Sequence, residues 1–255
     1  IWVRKGIQLE ALAVSFALEH QRSDGDDSRA VTKDQQTALD EMFGTNASLA
    51  PGALSTHYDV TNIHLDLSSD NWTLQNWYWK QDGGGLGQGA AKALDKKGSQ
   101  DATQFLTHLS YDADISDDLK IAADLSYQRS KSDSLLYLFP AGSVLPIGMD
   151  GNAFSTPVVG LVSFPDGYIG NPRAVSMNYD AEFAALYSGF SDQSIRFAAG
   201  WSESKIEAEE YKNYGPGVID GSSSSVDGNL TNVTGTPDIY LQDHRRSSYF
   251  VSAQD

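Results

Sequence analysis

The chain has no cysteine, few basic residues and no long uninterrupted apolar run. Without cysteine among its 255 residues, a disulfide scaffold, a thiol nucleophile and a Cys-ligated metal are all excluded. Acidic residues outnumber basic ones by 34 to 18, which disfavours nucleic-acid binding because phosphates require cations. A membrane-spanning helix needs about 20 mostly apolar residues. The charge-free stretch Ser134–Met149 is shorter and contains two prolines and two glycines.

Apolar residues are nevertheless abundant, and they recur at every second position. The chain is 40% hydrophobic and 11% aromatic, a composition that indicates a folded protein. Within residues 102–115, one face carries Phe105, Leu109, Tyr111, Ala113 and Ile115, and the other carries Gln104, His108, Ser110, Asp112 and Asp114. This period of two predicts a β-strand.

Eight segments share this pattern, and short and long connections alternate between them. The predicted strands are residues 12–18, 58–67, 72–80, 102–115, 119–128, 179–187, 195–201 and 249–253. Three connections are tight turns of favoured residues, at 69–71, 116–118 and 191–193. The others are long, at 23–56, 83–100, 132–177 and 212–243. In an up-and-down meander, this places all the tight turns at one rim and all the long loops at the other.

Such segregation is typical of outer-membrane barrels, whose strands present apolar side chains to lipid and polar ones to the lumen. A soluble antiparallel sheet also alternates, so it remains the competing interpretation. We predict an all-β fold: an antiparallel up-and-down meander that forms a segment of a transmembrane β-barrel. Residues 1–255 then form a partial barrel domain of about eight strands. The first residues lack the features of a signal peptide and the last read as a strand, so we expect an internal segment.

Three stretches resemble the barrel of the TonB-dependent outer-membrane receptors of Gram-negative bacteria. His244–Asp255 resembles a barrel strand of the family that ends in a Gln-Asp pair before a periplasmic turn. Gly87–Asp95 is similar to family loops of the form Gly-x-Gly-Ala-x-x-Ala-Leu-Asp. Asp34–Asp40, followed by Gly44-Thr45 and Leu49–Gly52, is similar to a long loop between early strands.

The resemblance implies a 22-stranded barrel with an N-terminal plug, which imports a scarce ligand with energy from the TonB complex. The ligand would be a ferric siderophore, cobalamin or a glycan. Neither a plug-like region nor a TonB box occurs in this chain, so those parts are expected elsewhere. The expected partners are the ligand, the TonB complex through the absent plug, and outer-membrane lipid, but no nucleic acid.

The long connection 132–177 is unusually apolar for a loop, which suggests that it packs onto the barrel mouth, a plug or a ligand. We predict that aromatic side chains at its ends and at neighbouring strand ends form an extracellular ligand vestibule. The candidates are Trp79, Tyr137, Phe139, Tyr168, Tyr211 and Tyr214. The alternative is that these aromatics pack the loop upon itself.

No pattern indicates catalysis. The five histidines lack metal-site spacing, and no Gly-x-Ser-x-Gly elbow occurs. Gly85–Ala90 matches a relaxed dinucleotide fingerprint, but no buried aliphatic strand precedes it and no βαβ order follows. We expect no enzyme activity, no cofactor and no bound metal. Two alternatives remain open: a passive porin-like channel and a secreted all-β carbohydrate-binding protein.

Overall fold

A computed structural model describes all 255 residues, and most of them belong to β-strands. In chain order the elements are β1 (Trp2–Leu9), β2 (Leu12–Ser23), β3 (Ala30–Val31), α1 (Gln35–Phe43), β4 (Gly52–Ala53), β5 (Tyr58–Ser68), β6 (Trp72–Gly84), β7 (Ser99–Ser116), β8 (Leu119–Phe139), β9 (Ser143–Gly148), β10 (Val158–Phe164), β11 (Tyr168–Tyr187), β12 (Ile195–Lys212), β13 (Thr231–Asn232) and β14 (His244–Gln254). The one helix, α1, is too short and too polar to cross a membrane.

Nine long strands form a single antiparallel meander. Their order across the sheet is β1, β2, β5, β6, β7, β8, β11, β12 and β14, with the two-residue β13 also paired to β12. The prediction of an all-β antiparallel meander is confirmed, and each of the eight predicted strands lies within one of these nine. The ninth, β1, escaped prediction because Lys5 and Gly6 interrupt its alternation. The sheet is open: β1 pairs only with β2, and β14 only with β12.

The strands extend further toward the long connections than the alternation pattern indicates. Residues 132–139 and 168–177, predicted as parts of a loop, belong to β8 and β11, which pair as far as Phe139 and Tyr168. The connection between these strands is therefore residues 140–167. Alternation stops early because residues 128–134 are polar on both faces and residues 135–139 are apolar on both, while the backbone hydrogen bonds of a ladder require no alternation of side chains.

The register confirms that the sheet has one apolar face and one polar face. The apolar face carries residues such as Leu65, Leu109, Leu125, Phe183 and Phe197, and the polar face carries residues such as Asp66, His108, Asp124, Glu182 and Ser202. No other element packs on the apolar face, where Leu125, Phe183 and Phe197 are each about half exposed.

A row of aromatic side chains crosses six adjacent strands of the apolar face. It consists of Tyr78, Phe105, Tyr127, Tyr179, Trp201 and Tyr249, one from each strand between β6 and β14. The ring centroids of Tyr127 and Tyr179 lie 4.9 Å apart, and those of Tyr179 and Trp201 lie 6.4 Å apart. We call this set the aromatic row. It separates an apolar zone, on the side of the tight turns, from a charged zone on the side of the long connections.

The hydrophobic core of the protein lies in the connections, not on the sheet. The four long connections, residues 24–57, 85–98, 140–167 and 213–243, pack together and form what we call the loop layer. Its core consists of Leu39, Ala93, Phe139, Leu145, Ile147, Val162, Phe164 and Tyr168, with Tyr214 and Ile219 packed against it. The β9–β10 hairpin supplies four of these residues and lies at the centre of the cluster.

Candidate functional site

Three of the six predicted vestibule residues meet in the core of the loop layer. The rings of Tyr168 and Tyr214 stack with centroids 4.0 Å apart, and Phe139 lies edge-on to Tyr168 at 6.0 Å. The Tyr168 hydroxyl accepts a hydrogen bond from the backbone N–H of Ala153 at 3.1 Å. Burial raises the pKa of Tyr168 and raises that of Tyr214 to about 12. These rings pack the loops against one another and offer a ligand little surface.

The other three predicted residues are dispersed. Tyr137 is half-buried beneath the ammonium group of Lys97, which lies 5.4 Å from its ring centroid. Tyr211 is covered in the same way by the guanidinium of Arg173 at 5.1 Å. Trp79 lies on the polar face of β6, opposite Asn62 of β5. The structure therefore does not assemble the six residues into one cluster, and their role in ligand binding stays a prediction.

Buried polar groups fix the loops of the layer to one another. Asp34 caps α1 through the backbone N–H and hydroxyl of Thr37, and it also accepts hydrogen bonds from the Ser48 hydroxyl and from the Leu94 N–H, 60 residues away. Burial alone would raise the pKa of Asp34, but these hydrogen bonds outweigh burial and lower it. One carboxylate thus links the first two long connections.

A buried amide does the same for the last two. The Asn213 side chain accepts a hydrogen bond from the Ile169 N–H at 2.8 Å and donates to the carbonyl oxygens of Gly167 and Asp227, both at 2.9 Å. No buried side-chain polar atom in the structure lacks a hydrogen-bond partner. Buried hydrogen bonds between distant residues therefore hold the connections of the loop layer together.

One segment of the last long connection folds over the polar face at its loop-side end. A buried ion pair at the end of β12, Lys212 Nζ to Glu210 Oε1 at 3.3 Å, holds it in place. The Lys212 ammonium donates to the Asp238 carbonyl oxygen at 2.7 Å, and Glu210 accepts a hydrogen bond from the Tyr240 N–H. The backbone of Tyr240 is therefore fixed, while its side chain is 86% exposed.

Between this segment and the polar face lies a cleft of about 180 Å³, which we call the mouth cleft. It is lined by Ser132, Ser134 and Pro172 of the strands, by Glu210, and by Ile239–Leu241 of the loop. An exposed aromatic ring on a fixed backbone, beside hydroxyl groups and a carboxylate, suits contact with a polar ligand. Sequence reasoning missed Tyr240 because it lies in a polar stretch without periodicity, so that no signal distinguished it from an ordinary loop tyrosine.

The polar face holds a second, larger cleft of about 410 Å³, which lies closer to the tight turns. His108 and Asp124 approach to 2.9 Å there, and Asp180 and Glu182 line the same cleft. No group of three or more His, Asp or Glu side chains in the structure is placed to hold a metal ion. We assign no chemistry to this cleft beyond its negative charge.

The chain matches no protein-family model, no curated protein and no solved structure. The role of the loop layer and of the mouth cleft is therefore inferred from their geometry alone.

Proposed function

We propose that the chain forms part of the wall and the outer loop layer of an outer-membrane β-barrel that binds and imports a scarce ligand. The observation that carries this proposal is the aromatic row on an uncovered apolar face. Interfacial rings of Tyr, Trp and Phe are typical of the boundary between lipid and water in such barrels. A water-soluble domain of this size would instead cover its apolar face with a second layer.

The dimensions of the apolar zone agree with a membrane. A barrel strand tilted by about 40° rises about 2.5 Å per residue along the barrel axis. On β11, Tyr179 belongs to the aromatic row, and Tyr187 pairs with Phe190 near the tight turn. The eight residue steps from Tyr179 to Tyr187 therefore span about 20 Å, close to the apolar band of about 25 Å in known barrels.

The strand directions support a segment of a barrel rather than a complete one. The first and last long strands, β1 and β14, both run from the loop layer toward the tight turns. Pairing them directly would produce a parallel seam, whereas bacterial single-chain barrels are antiparallel with an even number of strands. Closure of this nine-stranded sheet thus requires an odd number of further strands, which would also cover its two free edges.

Active uptake is the form of transport that we propose, driven by the TonB complex as the sequence resemblance implies. A hydrogen-bonded loop layer with one segment folded over the end of the polar face suits a gated receptor better than a freely open porin. Within it, we assign ligand contact first to Tyr240, since its ring is exposed and its backbone is fixed. Phe139, Tyr168 and Tyr214 act indirectly by supporting the layer.

The test is uptake by cells that carry the complete protein. We expect energy-dependent uptake of one of three labelled probes: a ferric hydroxamate siderophore, a ferric catecholate siderophore or cobalamin. Dissipation of the proton gradient should abolish it. Uptake that continues without the gradient would favour the passive channel, and recovery of the protein from the aqueous phase without detergent would contradict both.

Tyr240→Ala tests the mouth cleft separately. Loss of a central aromatic contact should weaken the binding of the transported probe about tenfold. Tyr58→Ala is the matched control, because Tyr58 is also an exposed tyrosine at the loop-side end of a strand but does not line this cleft. Equal affinities of the two variants would remove Tyr240 from the proposed site.

A further inference from the structure

The charged zone above the aromatic row is rich in cations for such an acidic chain. Seven of the chain's 18 basic side chains lie on the apolar face on the loop side of the aromatic row: Arg22, Lys80, Arg129, Lys131, Arg173, Lys205 and Arg245. Arg22 belongs to β2, which contributes no residue to the row, and lies at the corresponding level of the sheet. Carboxylates alternate with them: Asp59, Asp82, Asp101, Asp133, Glu203, Glu207 and Glu209. The zone is therefore close to neutral, whereas the chain as a whole carries −16.

Two neighbouring cations in this zone have no carboxylate partner. Lys80, Arg173, Lys205 and Arg245 each form an ion pair, for example Arg173 Nε with Asp133 Oδ2 at 3.1 Å. Arg22 of β2 and the pair Arg129 and Lys131 of β8 form none, and Arg129 and Lys131 lie next to each other on the face and are both exposed. They line a cleft of about 290 Å³ on this face, whose other charged residues are Arg173, Asp133, Glu207 and Glu209.

Their height above the aromatic row matches the headgroup region of a bilayer. Arg129 lies two residues beyond Tyr127 on the same face, and Lys131 lies four beyond. At about 2.5 Å per residue for a strand tilted by about 40°, the two residues stand about 5 and 10 Å above the row. The polar headgroup layer on each side of the hydrocarbon core is about 5–8 Å thick, so that Arg129 lies within it and Lys131 lies just beyond it, within reach of its long side chain.

The opposite rim of the same face lacks such cations. On β5–β8, β11 and β12, no charged side chain of the apolar face lies between the aromatic row and the tight turns. The one cation in the apolar zone is Lys5 of the edge strand β1. The turns themselves carry Asp70, Asp117, Asp118 and Asp192. On β5–β8, β11 and β12, unpaired positive charge on this face therefore lies only on the loop side of the aromatic row.

We propose that Arg129 and Lys131, with Arg173 beside them, form a binding site for the phosphate of an anionic lipid headgroup in the leaflet on the loop side. The proposal rests on the proposed membrane location of the sheet. The Arg129 guanidinium presents paired N–H donors to phosphate oxygens, and the Lys131 ammonium adds a second charge about 6.6 Å further along the strand. Of the three carboxylates that line the same cleft, Asp133 is already paired with Arg173 and Glu207 with Lys205.

The test uses the complete protein in bilayer nanodiscs that contain phosphatidylcholine with a minor fraction of phosphatidylglycerol. Lipids retained after detergent extraction are counted by native mass spectrometry. We expect selective retention of phosphatidylglycerol. A cation near an anionic surface contributes about fivefold in affinity, so Arg129→Gln/Lys131→Gln should reduce retention about 30-fold. The control Lys120→Gln/Arg196→Gln removes two cations from the polar face and should leave retention unchanged.

The proposal would be overturned by equal retention of both lipids, by unchanged retention in the Arg129/Lys131 variant, or by an equal loss in the control. Displacement of the lipid by millimolar inorganic phosphate would identify a free-phosphate site and would also overturn it. Failure of the membrane proposal itself is distinguishable, because the wild-type protein would then not enter nanodiscs or show heat-modifiable gel mobility.

Discussion

A single arginine on the apolar face distinguishes a membrane wall from the surface of a soluble sheet. Phe183 of β11 lies midway between Tyr179 and Tyr187, at the centre of the apolar zone, and its side chain is 50% exposed. Ser126 of the adjacent strand lies on the polar face, and its hydroxyl donates to Asp180. The comparison is therefore Phe183→Arg against Ser126→Arg, which introduce the same side chain on opposite faces.

The expected change in the free energy of unfolding follows from the depth of the arginine in the bilayer and from the apolar area that is lost. In a bilayer, arginine near the midplane destabilises a barrel by about 2–4 kcal/mol. Removal of the phenyl ring also forfeits about 100 Å² of lipid contact, worth about 2.5 kcal/mol at about 25 cal/mol per Å². Phe183→Arg should therefore destabilise the complete protein in lipid vesicles by about 4.5–6.5 kcal/mol. Ser126→Arg should be nearly neutral, because the polar face already supplies Asp124 and Asp180 beside the new cation.

The assay is equilibrium unfolding in urea of the protein folded into phosphatidylcholine vesicles, with folding followed by tryptophan fluorescence and by heat-modifiable gel mobility. On the surface of a soluble protein the Phe183 substitution would change the free energy of unfolding by about 0.5 kcal/mol or less. A change of that size, or an equal change for both variants, would refute the membrane interpretation of the apolar face.

The remaining predictions concern the loop layer. Asp34→Ala removes the N-cap of α1 and leaves the Leu94 N–H unpaired; together these should destabilise the first two connections by about 2–4 kcal/mol and accelerate hydrogen exchange at Leu94. The hydrogen bonds lower the pKa of Asp34 in the folded state, so their contribution to stability is complete above the unfolded pKa and is lost as the pH falls through the folded pKa. Protection of the Leu94 amide from hydrogen exchange should therefore be unchanged from pH 7 to 5 and should decrease below about pH 4. Tyr168→Phe should cost about 1 kcal/mol through the lost hydrogen bond to Ala153, and Tyr168→Ala about 3–5 kcal/mol through the cavity; similar thermal shifts for the two would show that the ring is not part of the core.

Much of the sheet could be predicted from the sequence because its information is local. Each strand near the tight turns alternates Leu, Ile, Phe or Tyr with polar residues, and the turns consist of Ser, Asp and Asn. The prediction failed where this local signal ends. Lys5 and Gly6 obscured β1, and the serine-rich stretch after Gln128 concealed the continuation of β8 to Phe139. In both places the hydrogen-bond ladder continues although neither face is uniformly apolar.

The candidate site was harder to predict because burial of a loop residue depends on contacts far away in the chain. Apolar composition identified Phe139 and Tyr168 as unusual, but it could not show whether they face a ligand or other loops. The structure surrounds both with residues of the β9–β10 hairpin. Tyr240 became a candidate only because the Glu210–Lys212 pair fixes its backbone over the polar face.

By itself the sequence determined the fold class, the two-faced character of the sheet and the segregation of short and long connections, since a period of two and tight turns depend only on neighbouring residues. The tertiary structure alone decided which aromatics align across six strands, which ones are buried among the loops and which cations lack partners. Strand register and loop packing bring together residues far apart in the chain, so no local pattern encodes these features.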